Sequence, residues 1–324
     1  MRFIGKAAGV LAVTAALATA SAPSMAQTKV TISQAFQSML YLPFYVAIDK
    51  GFFKKEGIDV DKETAGSPTA ALSAVLSNSA QFSIHGPEWT AIAASKGADV
   101  DIICNVVNGA AVWIATTPDF KFSSIKDVKG QKVVTGLMPT TSTSLFMKLM
   151  KENGMDPKSD VDMLQVQIGS EPGPFLGGQG KVAVLYEPGL DQVAAKGMKV
   201  ALGFPKAYGP YAFSSITARK GVDPKAAQGV VNAMELALRY MQSNPDDTVA
   251  IAKKEFPTLD GKIVEASVRR MMAENVYPKN VDTTPQALKT AMATQIALGN
   301  LKEQPVYDKF VVRTYVKKAL ALPH

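Results

Sequence analysis

Three times within residues 29–97, a short apolar strand gives way to a helix that begins at a proline. Lys29 to Ser33 alternates like a strand, and Pro43 to Lys50 follows as a helix stopped by Gly51. Ile58 to Glu63 precedes a helix from Pro68 to Leu76. Gln81 to Ile84 precedes one from Pro87 to Ser95, closed by Gly97. Proline suits a first helical turn, where its missing N–H has no partner to lose. Strands alternating with helices in this order imply a mainly parallel sheet with helices on both faces.

The alternation resumes at Lys132, after two extended runs, Ile102 to Val107 and Val112 to Thr117. A helix is expected over Ser142 to Lys151, strands over Val161 to Gln167 and Val182 to Leu185, and a helix over Leu190 to Ala195. Tyr211 to Ala218 reads as a returning strand. Helices then dominate: 224–241, 245–256, 263–274, 285–298 and 307–320. The segment Gly169 to Gly180 reads as a Gly/Pro-rich loop. With no linker between the two series, the second is expected to be inserted in the first. The expected division is lobe one over 27–116, lobe two over 117–208, and a return with the C-terminal helices over 209–324.

The first 26 residues have a charged start (Arg2, Lys6), an apolar run from Ala7 to Ala20 and a small-residue site, Ser24-Met25-Ala26. This is the pattern of a secretory signal peptide, with cleavage expected after Ala26. No cysteine stands there to carry a lipid, so a soluble exported protein is expected, most simply periplasmic. The net charge of +7 is spread along the chain without a basic block, which speaks against nucleic acid. Cys104 is the sole cysteine and sits in an apparent strand, so an inert buried thiol is expected. Two histidines leave no material for a triad or a His-rich metal site. No cofactor and no metal are expected, and His85 is read as a plain hydrogen-bonding residue.

The segment GLMPTTSTSLF, Gly136 to Phe146, places five consecutive hydroxyls, Thr140 to Ser144, at a helix start. One hydroxyl suffices as a cap. The free N–H groups of such a start suit a small polar or anionic ligand.

The segment Leu42-Pro-Phe-Tyr-Val-Ala-Ile-Asp-Lys-Gly-Phe-Phe-Lys-Lys-Glu-Gly-Ile-Asp-Val60 resembles the first helix and second strand of type II periplasmic solute-binding proteins. The subgroup is that of nitrate, sulfonate, taurine and thiamine-pyrimidine binders of ABC importers. Gly66-Ser-Pro-Thr-Ala-Ala-Leu72 is similar to their second ligand loop, and Ile125 to Val133 to the start of their lobe two. Gly180 to Pro188 is similar to their strand ending in Glu-Pro. Where the pyrimidine binders carry a Trp, this chain reads Ser33-Gln-Ala-Phe-Gln37. The resemblance implies a two-lobed α/β fold, a small-molecule solute held in the cleft, a membrane permease as partner, and a monomer without catalytic residues.

It also places candidates on the cleft walls. Thr140, Thr141, Ser142 and Thr143 fall on lobe two, facing Ser67 and Thr69 of lobe one. Glu187 and Glu88 follow strand ends, and Trp89 is placed to stack on a flat ligand or pack in its lobe. Gln37, Phe44 and Tyr45 flank the first helix start. Tyr208, Tyr211 and Phe213 stand near the second crossing, and Trp113 in the first. No arginine precedes Arg219 after the leader, so an anion would rely on N–H groups and hydroxyls. An aliphatic sulfonate, taurine or nitrate-like anion is the favoured solute on this reading. Two glutamates facing the cleft would instead favour a thiamine-pyrimidine precursor or another flat aromatic solute. A pyrimidine-synthesising enzyme on the same fold fits less well with an export signal.

Overall fold

The computed structural model describes residues 27–138 and 140–323. The expected leader, residues 1–26, lies outside the described residues, as does Pro139. In chain order the strands are β1 (Thr28–Gln34), β2 (Ile58–Thr64), β3 (Phe82–His85), β4 (Val100–Val107), β5 (Trp113–Thr116), β6 (Lys132–Gly136), β7 (Asp162–Val166), β8 (Val182–Leu185), β9 (Lys199–Gly203) and β10 (Ser214–Arg219). The first helices are α1 (Leu42–Asp49), α2 (Phe52–Lys55), α3 (Pro68–Leu76), α4 (Pro87–Ser95), α5 (Thr141–Glu152), α6 (Pro172–Leu176), α7 (Gly189–Ala194) and α8 (Phe204–Tyr208). They are followed by α9 (Pro224–Ser243), α10 (Pro245–Glu255), α11 (Gly261–Ala273), α12 (Pro285–Ala297), α13 (Tyr307–Phe310) and α14 (Arg313–Leu320).

Two five-stranded sheets form, in the orders β2-β1-β3-β10-β4 and β7-β6-β8-β5-β9. In each, four strands run one way and one runs against them. The reversed strands, β5 and β10, are the first strands after the two crossings between lobes. The chain leaves each sheet at a carboxyl end facing the cleft, so it meets the next sheet from that same side. Strand β5, assigned from the sequence to lobe one, instead lies between β8 and β9 of the second sheet. The change of lobe therefore falls before Trp113, not after Thr116.

Inner strands are buried on both faces, as helix-covered sheets require. Val30, Ile32, Phe82 and Ile84 fill one lobe, and Val133, Val134, Val182 and Val184 the other. The Gly169–Gly180 segment is not all loop, because Pro172 opens the short helix α6. The expected single helix over 307–320 breaks at Val311 and Val312. Val311 bridges to Ile102, and the Val312 N–H donates to the Ile102 carbonyl, so pairing with β4 overrides helical propensity there. Among the described residues, no helix is long and apolar enough to cross a membrane.

Candidate functional site

The carboxyl ends of β1, β3, β6 and β8 feed the loops that meet between the lobes. Here the starts of α4 and α5 confront each other. Glu88, in the first turn of α4, folds back over Gly86 and is buried. A β-carbon on Gly86 would lie 2.3 Å from the Glu88 carboxylate, so a side chain there would push that carboxyl out of its place. Across the cleft, the Thr141 hydroxyl of α5 donates to Glu88 Oε1 at 2.5 Å. The hydroxyl-dressed helix start thus holds a carboxyl that belongs to the protein itself.

Its other hydroxyls divide the remaining work. Thr143 donates to the Gly136 carbonyl at 2.7 Å, closing the turn after β6. The Thr140 hydroxyl lies 3.3 Å from those of both Ser142 and Thr143. The Ser142 N–H donates to the Tyr186 hydroxyl at 2.9 Å.

Above Glu88 the cleft is aromatic. Phe36 packs on Tyr41 at 5.5 Å and stacks on Tyr186 at 6.3 Å, and Tyr186 meets Phe213 edge-on at 5.9 Å. With Trp89 and Thr141 these rings line an inner chamber of ≈20 Å³, room for about one water. An outer chamber of ≈270 Å³ adjoins it, sharing Phe36 and Tyr186 and lined further by Gln37, Glu171, Glu187 and Phe256.

Glu187 is committed at the rim of that chamber. It accepts from Arg270 Nε at 2.8 Å, from the Ser267 hydroxyl at 3.2 Å and from the Asp191 N–H at 3.0 Å. Arg270 Nη2 also donates to Asp191 Oδ1 at 2.6 Å. Arg270 stands on α11, which packs on α10 of one lobe and α7 of the other, so this cluster ties the lobes together. Burial and the neighbouring Asp191 push the Glu187 carboxyl upward, although Arg270 opposes them.

Burial also raises Glu88 to about 7, against the bond from Thr141, and Glu171 to about 7, against the amides of Glu171 and Gly169. His85 is pushed down to about 4 by burial, its ring held by Ser83 and the Gly86 carbonyl. A carboxyl raised in the fold favours the folded state while protonated, and that advantage fades as pH climbs through its folded value. The penalty for keeping His85 neutral acts only below about 6.5, its ordinary value. Lowering pH from 8.5 to 6.5 is therefore expected to stabilise the ligand-free protein by about 1–2 kcal/mol, a few degrees of melting temperature. Calorimetry at both pH values checks this, and a flat or reversed trend refutes the buried-carboxyl account.

Four candidate contacts, Phe44, Tyr211, Ser67 and Thr69, lie away from both chambers. Phe44 is fully buried in the lobe-one core, edge-on to Phe53 at 5.8 Å, because α1 turns that face inward. Tyr211 is buried as well, its hydroxyl donating to Thr294 of α12 at 3.1 Å. Ser67 accepts from the Ala70 N–H at 3.1 Å as the α3 cap and lies 3.1 Å from Thr69. That pair lines neither chamber, and only the intervening Pro68 reaches the inner one. Gln37 is exposed and donates to Glu255 at 2.7 Å. Trp89 is half-buried, between the inner chamber and a small cluster with Leu72 and Val75. Of the residues near the crossings, Tyr208 donates to Glu152, and Trp113 donates to Glu274 at 3.0 Å. Tyr45 donates to Gln34 at 2.8 Å.

The reading from sequence missed Phe36, Tyr41, Glu171, Tyr186 and Arg270. Tyr186 directly precedes the Glu-Pro pair at a strand end, which was signal enough to include it. Nothing local marks Arg270.

A family model described as NMT1/THI5 like matches residues 39–248. The chain belongs to that family. It is 23% identical over 300 residues to YtlA of Bacillus subtilis (strain 168), named as a binding protein, with 90% of both chains covered. Among solved structures, it is similar to the alkanesulfonate-binding protein SsuA of Xanthomonas axonopodis pv. citri bound to MOPS. That TM-score is 0.70 at 14% identity, covering 90% of this chain and 97% of the other. The nitrate-binding protein NrtA of Synechocystis PCC 6803 gives a TM-score of 0.72 at 15% identity, covering 90% and 88%. The desulfurization enzyme DszB shares the fold too, with a TM-score of 0.67 at 11% identity over 91% and 99% of the chains. At these identities the structures establish the two-lobed α/β fold of periplasmic binding proteins and no ligand.

Proposed function

We propose that this family member is the periplasmic solute-binding component of an ABC importer, capturing a flat, N–H-bearing solute such as an aminopyrimidine. Two lobes close on the solute, and the closed form delivers it to a membrane permease. The observation that carries the choice of solute is Glu88. The helix start that suits an external anion is already filled by this carboxyl, bound by Thr141 of the opposite lobe. Glu171 and Glu187 add two more carboxyls, and Arg270, the cation paired with Glu187, is spent on Glu187 and Asp191. Such a cleft repels a sulfonate and suits donor groups on a ring, which would enter between Phe36, Trp89 and Tyr186 only as the lobes part, since the inner chamber as it stands holds about one water.

The anion reading keeps one support, the hydroxyls Thr140 to Thr143 at the start of α5, together with the anions named for the SsuA and NrtA neighbours. It requires Glu88 to be protonated or displaced. An enzymatic role finds less support, because His85 is buried and committed on both ring nitrogens to internal partners.

Thermal shifts of the mature protein with 4-aminopyrimidine, thiamine-pyrimidine precursors, taurine, alkanesulfonates and nitrate test the proposal. A ligand that binds only the folded state raises the melting temperature. Aminopyrimidines are expected to do so at pH 8 and sulfonates are not, and the reverse pattern overturns the reading.

A further inference from the structure

The outer chamber contains a carboxyl that the closure of the cleft does not use. Glu171 is 2% exposed, and its Oε1 has no hydrogen-bond partner among the described residues. Burial of a carboxyl oxygen without a donor opposes folding. Stability does not account for its presence, whereas a ligand donor would satisfy it.

Its surroundings are polar and closely packed. A β-carbon on Gly136 would lie 3.1 Å from Thr140 Oγ1, 3.2 Å from Glu171 Oε1 and 3.4 Å from Ser142 Oγ. Glycine at the end of β6 lets these three oxygens pack close against the backbone, so Glu171 Oε1 lies beside the hydroxyls of Thr140 and Ser142. No Lys, Arg or His is among the residues lining the outer chamber. Glu187, on its rim, already has Arg270, so Glu171 is the chamber carboxyl left without a cation. Phe36 and Tyr186 form the boundary between the chambers, so a ring held by the aromatics would direct a substituent toward Glu171.

We propose that Glu171 is a specificity-determining residue that receives an ammonium or amidinium arm of the solute, the outer chamber selecting a cationic extension of the ring held within. This rests on the reading of the cleft as a site for a flat, N–H-bearing solute. The matched probes are 4-amino-5-aminomethylpyrimidine and its 5-hydroxymethyl counterpart, titrated calorimetrically into the mature protein at pH 8. The wild type is expected to bind the amine about tenfold or more tightly, the scale of one charge-assisted hydrogen bond. Glu171→Gln is expected to erase that preference, leave the hydroxymethyl probe unchanged, and not lower the melting temperature of the ligand-free protein. Gly136→Ala, whose methyl would crowd Glu171 Oε1 and shift it, is expected to reduce the preference as well.

Equal weakening of both probes in Glu171→Gln, or a lower melting temperature with the preference intact, makes Glu171 structural and overturns the proposal. Should that variant fail to fold, an unchanged preference in Gly136→Ala overturns it. If the wild type binds both probes equally, the proposal fails while the ring-solute reading stands. If it binds neither, both fail.

Discussion

Glu88→Gln is expected to weaken binding of an aminopyrimidine at pH 8 by about 10- to 100-fold, the worth of a hydrogen bond to a charged group. The carboxyl lies where two helix starts meet, beside Gly86 and Thr141, which line the inner chamber. Glutamine keeps the shape and still accepts from Thr141, but it gives up the charge that donor groups on a ring would meet. The ligand-free variant is expected to melt no lower than the wild type at that pH, because a buried carboxyl with a raised titration point loses a penalty. Thr141→Ala removes the inter-lobe bond altogether. The two changes are expected to be non-additive in a double-mutant cycle, since Glu88→Gln removes the charge that the Thr141 hydroxyl meets and Thr141→Ala removes the bond itself. Titration calorimetry on the four proteins decides the matter. Unchanged aminopyrimidine affinity in Glu88→Gln, with new affinity for taurine, would return the α5 start to an external anion and sink the proposed solute class.

Arg270→Ala is expected to cost about 3 kcal/mol of stability, the lower end of the range for stranding a buried ion-pair partner. The low end applies because the Arg270 side chain keeps 26% exposure, so water screens part of the pair. Its loss leaves Glu187 and Asp191 facing each other in a buried rim, held by Ser267 and one backbone N–H. The loss is expected to be smaller at pH 6 than at pH 8, because protonation of Glu187 relieves the stranded charge. Glu187→Gln in the Arg270→Ala background is expected to recover part of the stability for the same reason. Urea unfolding at both pH values measures all of this. A cost below about 1 kcal/mol, typical of an exposed pair, would show that the cluster does not bind the lobes together.

The structure also separates two kinds of information in this chain. Elements governed by near neighbours were legible. The expected helices at Pro43, Pro68 and Pro87 correspond to α1, α3 and α4, and the expected strands lie within a residue or two of their bounds except β10, which starts three residues later, while β9 was not expected. Proline placement, glycine stops and apolar spacing act over a few residues, so the sequence alone carries them. Where long-range pairing competed, the local reading failed. Val311 and Val312 left a helical pattern to pair with β4, and β5 changed lobe because its partners are β8 and β9.

The site divides along the same line. The run Thr140 to Ser144 announced a helix start with unusual donor capacity, and so fixed the place of a cleft wall. What that wall holds was decided by Glu88, a residue 53 positions earlier in the other lobe. Arg270 likewise acts on Glu187 across 83 positions. Helix starts and strand ends follow from hydrogen bonds between neighbours, which the sequence writes out directly. The partner of a buried charge depends on which distant segments the fold brings within about 3 Å, and only the tertiary structure determines that.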